Sequence, residues 1–236
     1  TLNGNTLTVD GSTNTDYSGV MSGTGALVKA GTATFTMSGA NTFTGGTTIN
    51  AGTLALGANN VLADTGAVNV SGGTLDIASF NDTVGTVTLS SGDITGATGE
   101  LNGTSYDVTN ASGTTNISAI LAGSGQLTKT GAGTLTLSGA NTYTGSTNLN
   151  AGTVAVTNNA GLGSTVGATT IAAGATLDLQ NVTVGAENIN LNGGKLATSV
   201  GTSSLAGNVA LGADSEINVT GTQLTIAGQI SGVAYN

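Results

Sequence analysis

Side chains able to do chemistry are scarce in this chain, and their spacing decides what chemistry is open to them. There is no Cys, His or Arg; the reactive groups are twelve Asp and Glu residues, three Lys and ordinary hydroxyls. Without His, a Ser–His–Asp arrangement is excluded. Without Cys, thiolate metal sites and disulfides are excluded. Glycoside hydrolysis needs two converging carboxylates. Asp76 and Asp178 occupy equivalent L-D-I and L-D-L positions, but about one hundred residues apart, and strand alternation points both away from the interior. The chain is expected not to be an enzyme and to need no cofactor.

The remaining candidates read as structural. Asp214 and Glu216 stand two apart and share one strand face, which makes them weak candidates for holding a hard cation. The plainer reading is two solvated charges, and no metal is expected. A calcium-binding roll repeat is absent, since GGTLDI at 72–77 lacks the third Gly. Lys29 and Lys129 hold one place in two similar segments; at a strand end, with the stem over apolar surface, each reads as a solubilising charge. Tyr17, Phe43, Tyr106 and Tyr143 are the points where a sugar ring could stack. Phe43 and Tyr143 follow Asn-Thr in turn-like sequence, so packing over the turn is expected. The Thr-x-Thr pairs at 32–36 and 134–136 are assigned to outward strand faces. Asn41, Asn141, Asn50 and Asn150 are assigned structural work, as side chains that bond from rung to rung or as left-handed corners.

Composition narrows the class of element that positions these groups. Only 6% of the residues are charged, 38% are hydrophobic and mean hydropathy is +0.21, so a folded chain is expected despite 40 Gly in 236 residues. The net charge is −9, and the three Lys are far apart, which excludes the clustered basic surface that nucleic acid requires. The same scarcity argues against an anionic membrane surface. No apolar run approaches the roughly 20 residues of a membrane span. No secretory signal stands at Thr1, so an exported protein would be represented here by a mature or excised portion.

The chain repeats itself. Residues 23–55 and 123–155 share 20 identities in 33 positions, and the mismatches exchange apolar for apolar: Phe35 with Leu135, Met37 with Leu137, Ile49 with Leu149. That pattern marks a shared buried face rather than shared chemistry. Units are expected at about 23–122 and 123–231 within one domain spanning 1–236. Within each unit, T-F-T-M-S at 34–38 and T-L-A-L at 53–56 alternate polar and apolar as half-buried strands do. Apolar pairs recur about every 20 residues, at 35/37, 54/56 and 75/77, and in a second series at 49, 68/70, 87/89 and 106/108. Two interleaved series at one spacing predict an all-β solenoid with rungs of about 20 residues. At roughly 4.8 Å per stacked strand, eleven or twelve rungs make a rod on the order of 55 Å long. Gly supplies the corners, and the absence of Pro fits strands paired on both sides.

The blocks G-x-G-x-L-x-K-x-G (23–31, 123–131), S-G-A-N-T-[FY]-T-G (38–45, 138–145) and N-A-G-T-[LV] (50–54, 150–154) resemble the passenger-associated transport repeat of large bacterial surface proteins. The repeat positions are Lys29, Gly39, Asn41, Asn50 and Gly52, with Lys129, Gly139, Asn141, Asn150 and Gly152 as their echoes. The resemblance implies a right-handed parallel β-helix exported across the outer membrane to the extracellular face of a bacterial cell. It directly covers about 70 residues. A non-enzymatic stalk or spacer of an adhesin or matrix protein is the expected function, with surface glycans, other cells or the chain itself as partners. A self-assembling fibre is the alternative: GNTLTVDG (4–11) is similar to GTQLTIAG (221–228), so Leu7 and Val9 are expected to meet Leu224 and Ile226 of another copy end to end.

Overall fold

A computed structural model describes residues 1–232, and every regular element among them is a strand: twenty-seven in all, mostly of two to five residues. Every strand-to-strand pairing between them is parallel. One column of facing residues traces the architecture. It runs Leu7, Leu27, Thr47, Val68, Val87, Tyr106, Leu127, Thr147, Thr169, Ile189, Val209, Ile230, in steps of 19 to 22 residues. The chain is therefore a β-solenoid of roughly 11 turns. Leu27 and Leu127 lie five turns apart in this column, which is why the sequence echoes itself at one hundred residues.

Each coil has three walls. Strands such as Thr47–Ile49 and Gln126–Lys129 form the first, and Thr53–Leu56 and Thr134–Leu137 the second. The third is shorter and less regular, with Thr42–Phe43, Thr183–Val184 and Thr202–Leu205 among its pieces. In the middle coils Asp82–Thr95 and Glu100–Val108 pass from wall to wall without a break. Successive side chains on a strand point to opposite sides. In Thr34–Met37, Phe35 and Met37 are therefore buried and the two Thr half-buried. The inward positions stack coil on coil into one continuous apolar core, including Leu54, Leu75, Ile94, Ile117 and Leu137 of the second wall.

The outward positions also stack. On the first wall, Thr48, Asn69, Thr88, Asp107, Thr128, Asn148, Thr170 and Asn190 form one column across eight coils, Thr alternating strictly with Asn or Asp. On the second wall, the outward positions include Asp76, Asp93, Asp178, Lys195 and Glu216.

Two glycine positions show how tightly the coils approach. A Cβ at Gly39 would lie 1.9 Å from the Gly19 carbonyl oxygen, and one at Gly139 would lie 2.2 Å from that of Ala119. Gly52 and Gly152 turn the corner with φ of 62° and 71°, beneath equally close carbonyls. Non-glycine left-handed corners fall instead at Asn3, Asn60, Ala78 and Asn181, and not at Asn41, Asn50, Asn141 or Asn150.

Gly139→Ala is expected to lower unfolding free energy by about 1–3 kcal/mol, because one coil must shift off the next. Gly185→Ala, with only a methyl group 3.9 Å away, is expected to change it by less than about 0.5 kcal/mol. Denaturant titration of both variants checks this.

Candidate functional site

Among the repeat positions, Asn41 and Asn141 satisfy backbone groups that the irregular third wall leaves open. The Asn41 side chain accepts a hydrogen bond from the Met21 N–H of the preceding coil at 2.7 Å. Its amide donates to the carbonyls of Gly39 and, in the following coil, Val61, at 2.7 and 2.8 Å. Asn141 repeats the arrangement, accepting from Leu121 N–H at 2.9 Å and donating to Gly161 at 2.7 Å. Both are buried. Each amide bridges three consecutive coils, so these Asn bond to backbone and not to one another. Asn50 accepts from the Ser71 hydroxyl at the surface, and Asn150 is exposed.

The same column holds two further caps that sequence reasoning did not single out. The Asp82 carboxylate accepts from the Val61 and Leu62 N–H groups at 2.8 and 3.0 Å, and the Ser203 hydroxyl accepts from Val182 N–H at 3.3 Å. The spacing to Asn41 and Asn141, in whole turns, is the signal that could have found them.

Lys29 and Lys129 correct the expectation of solubilising charges. Both are buried, at 1% and 0% exposure. They sit in the core column Val9, Lys29, Ile49, Val70, Leu89, Val108, Lys129, Leu149, where every other member is aliphatic. The stem fills the aliphatic place and the ammonium turns to the corner. Lys29 Nζ donates to the carbonyls of Gly31 at 2.5 Å and Ala51 at 3.2 Å, and Lys129 Nζ donates to Gly131. Among the described residues no carboxylate pairs with either, and burial pulls both ammonium groups below the usual lysine range.

Phe43 and Tyr143 are likewise buried in the core. The Tyr143 hydroxyl meets Thr147 Oγ1 at 2.6 Å, and its ring lies 6.2 Å from that of Tyr106. Tyr106 is also buried; its oxygen accepts from Gly103 N–H and lies 2.6 Å from the carbonyls of Leu101 and Ala122. None of these three rings is open to a sugar. Tyr17 alone of the four is partly exposed, against Phe35.

The acidic candidates do not converge. Asp76 and Asp178 are outward on the second wall, five turns apart. Asp178 is nonetheless covered, bonded by Gln180 and by the N–H and hydroxyl of Ser199. Asp214 and Glu216 border a shallow groove of about 570 Å³ with Thr176, Gly194 and Lys195. Glu216 is engaged by Asn218 at 2.8 Å and Lys195 at 3.0 Å, contacts that hold its carboxyl below the usual range. No group of three metal-ligating side chains exists among the described residues.

The terminal strands correct another expectation. Leu7 and Val9 lie on the first wall, under Leu27 and Lys29, whereas Leu224 and Ile226 lie on the third, over Ser203 and Leu205. The two similar octapeptides are out of phase around the coil and do not share a column.

Two buried carboxyls are electrostatic outliers. Asp82 and Glu187 are each 1% exposed, and each has one oxygen without a partner among the described residues. Burial pushes Asp82 up to about 6, against the opposing N–H bonds of Leu62 and Val61, with Asp64 adding repulsion. Burial pushes Glu187 up to about 7, against its hydrogen bond from Thr169.

Residues 27–56 and 127–156 match the passenger-associated transport repeat family. Each match begins on the first wall and closes one and a half coils later on the second, enclosing the buried Lys, the buried Asn and both close-packed glycines. The chain is 35% identical over 148 residues to the adhesin BmaC autotransporter of Brucella suis biovar 1 (strain 1330), a match that covers 61% of this chain and 4% of that protein. The chain therefore corresponds to a small fraction of its relative's length. No solved structure matches it.

Asn141→Ala strands the buried Leu121 N–H and Gly161 carbonyl, and is expected to cost about 1–3 kcal/mol. Asn150→Ala is expected to stay within about 0.5 kcal/mol. Chemical denaturation of the two variants tests the contrast. A separate test uses pH. A carboxyl whose folded pKa lies above its unfolded value stabilises fully below the unfolded value and loses that contribution as pH rises through the folded one. Stability is therefore expected to fall between about pH 4 and pH 7, by on the order of 1 kcal/mol for each of Asp82 and Glu187. Asp82→Asn, which installs the amide already used at Asn41 and Asn141, is expected to remove its share of the slope and to raise the unfolding midpoint at pH 8. Glu187→Gln is expected to flatten the remainder.

Proposed function

We propose that this chain is a non-enzymatic spacer: a stalk segment of the passenger of a bacterial surface adhesin, carried outside the cell. The observation that carries the reading is the unbroken parallel ladder from Thr6–Val9 to Ile230–Gly232, built around transport-repeat segments. Such a ladder converts sequence length into reach at a fixed rise per coil. The name of the relative, an autotransporter adhesin, supports the location and the class. The scattered carboxylates and the engagement of Glu216 support a role without catalysis.

Reach should follow the number of coils. Deleting residues 28–127 puts Leu27 in the place of Leu127, five turns along the same column. The shortened chain is expected to fold and to form a rod about 24 Å shorter, at roughly 4.8 Å per coil. Small-angle scattering measures the difference; an unfolded chain or an unchanged length would overturn the spacer reading. Filaments of fixed width on negative-stain grids would favour the fibre over the plain spacer.

A further inference from the structure

The first wall presents a surface that the spacer role does not use. From Thr48 to Asn190 its central outward column alternates a hydroxyl with an amide or carboxylate over eight coils, and Asp107 is the one charged member. The flanking outward positions continue the chemistry, with Thr86, Ser105 and Gln126 on one side and Asn50, Ser71 and Asn192 on the other. In a chain of net charge −9, this wall is nearly neutral, while the second wall collects Asp76, Asp93, Asp178, Lys195 and Glu216. The side chains of Thr48, Asn69, Thr88 and Thr128 make no hydrogen bond within the described residues, although each is half-buried. Elsewhere on the wall Asn190 donates to Thr170, Asn148 to Ser146, Ser105 to Asp107 and Ser71 to Asn50, so the free donors and acceptors are those of Thr48, Asn69, Thr88 and Thr128.

We infer that this wall binds an uncharged, extended, β-linked polysaccharide lying along the solenoid axis. Three features select that class. Alternating hydroxyl and amide groups offer both donors and acceptors to sugar hydroxyls at every coil. A near-neutral wall fits a polymer without carboxylates or sulfates, which the remaining negative charge of the chain would repel. The rise of roughly 4.8 Å per coil is slightly shorter than one sugar of an extended β1→4 chain, so sugars and coils keep step over a few neighbouring coils and drift apart over the whole column. No aromatic ring lies on this column, so each contact is a hydrogen bond alone and a short ligand binds weakly. Affinity comes from many coils acting on one chain. This binding goes beyond the spacer role: a rod that bound nothing would still be a rod.

The test is calorimetric titration of the whole chain with cello- and chito-oligosaccharides from disaccharide to octasaccharide, with retention on insoluble cellulose and chitin and with polygalacturonate as the anionic comparison. Affinity is expected to climb with oligosaccharide length, and polygalacturonate is expected not to bind. The variant T48V/T88V/T128V/T170V keeps the branched strand-forming shape but removes four hydroxyls, and is expected to bind at least roughly tenfold more weakly. The second-wall variant T134V/T153V is expected to bind as the unmodified chain does. Absence of binding, affinity independent of length, preference for polygalacturonate, or equal loss in both variants would each overturn the proposal. So would sedimentation showing that copies of the chain pair through this wall and that the four-site variant separates them. Should that variant fail to fold, the length dependence of the unmodified chain decides alone.

Discussion

Everything in this molecule depends on neighbouring coils standing close enough for every backbone group to find its partner one turn away. Parallel strands must sit roughly 4.8 Å apart for that, and a solenoid must meet the distance at its corners as well as along its walls. Gly39 and Gly139 exist because a methyl group there would strike a carbonyl of the coil before. The absence of Pro follows from the same demand, since each missing N–H would leave a carbonyl of the neighbouring coil unpaired.

Where the walls are regular, the ladder satisfies itself. The third wall is not regular, and there side chains replace backbone. Asn41 and Asn141 serve both directions at once, because an amide can accept from the coil before and donate to the coil after. Asp82 can only accept, which leaves one oxygen buried and idle and makes the ionised form uncomfortable. The lysines solve a different problem. A corner of carbonyls opening onto the core needs a donor with a long apolar stem, and Lys supplies both in one side chain. In this chain the two matched segments thus carry side chains that satisfy irregular backbone inside a stacked coil.

The spacing of apolar pairs made two of the three walls, the coil length and the five-turn repeat legible, because stacking forces like residues into register. The functions of individual residues were less so. Lys29 reads as a surface charge by type, yet it lies two residues after Leu27 on one strand, and that alternation places it inside. Phe43 lies two residues after Asn41 and is inward for the same reason. The likeness of the two terminal octapeptides misled because it compares composition without phase: strands of the first and third walls use one vocabulary. The Thr and Asx column of the first wall is invisible in a linear reading, since its members stand 19 to 22 residues apart and uneven steps blur any fixed period.

The direction of the ladder has a mechanical consequence. Strands lie across the rod, so the hydrogen bonds between coils run along it, and tension carried by the chain meets them a coil at a time. Each coil that peels away gives up roughly 4.8 Å of rod and releases about 20 residues, which reach on the order of 65–70 Å when drawn out. A pulled rod of this kind lengthens by more than ten times what it loses, one small step after another, and rewinds on a template that is still in place. It behaves as a yielding tether whose stiffness is set by the weakest exposed coil.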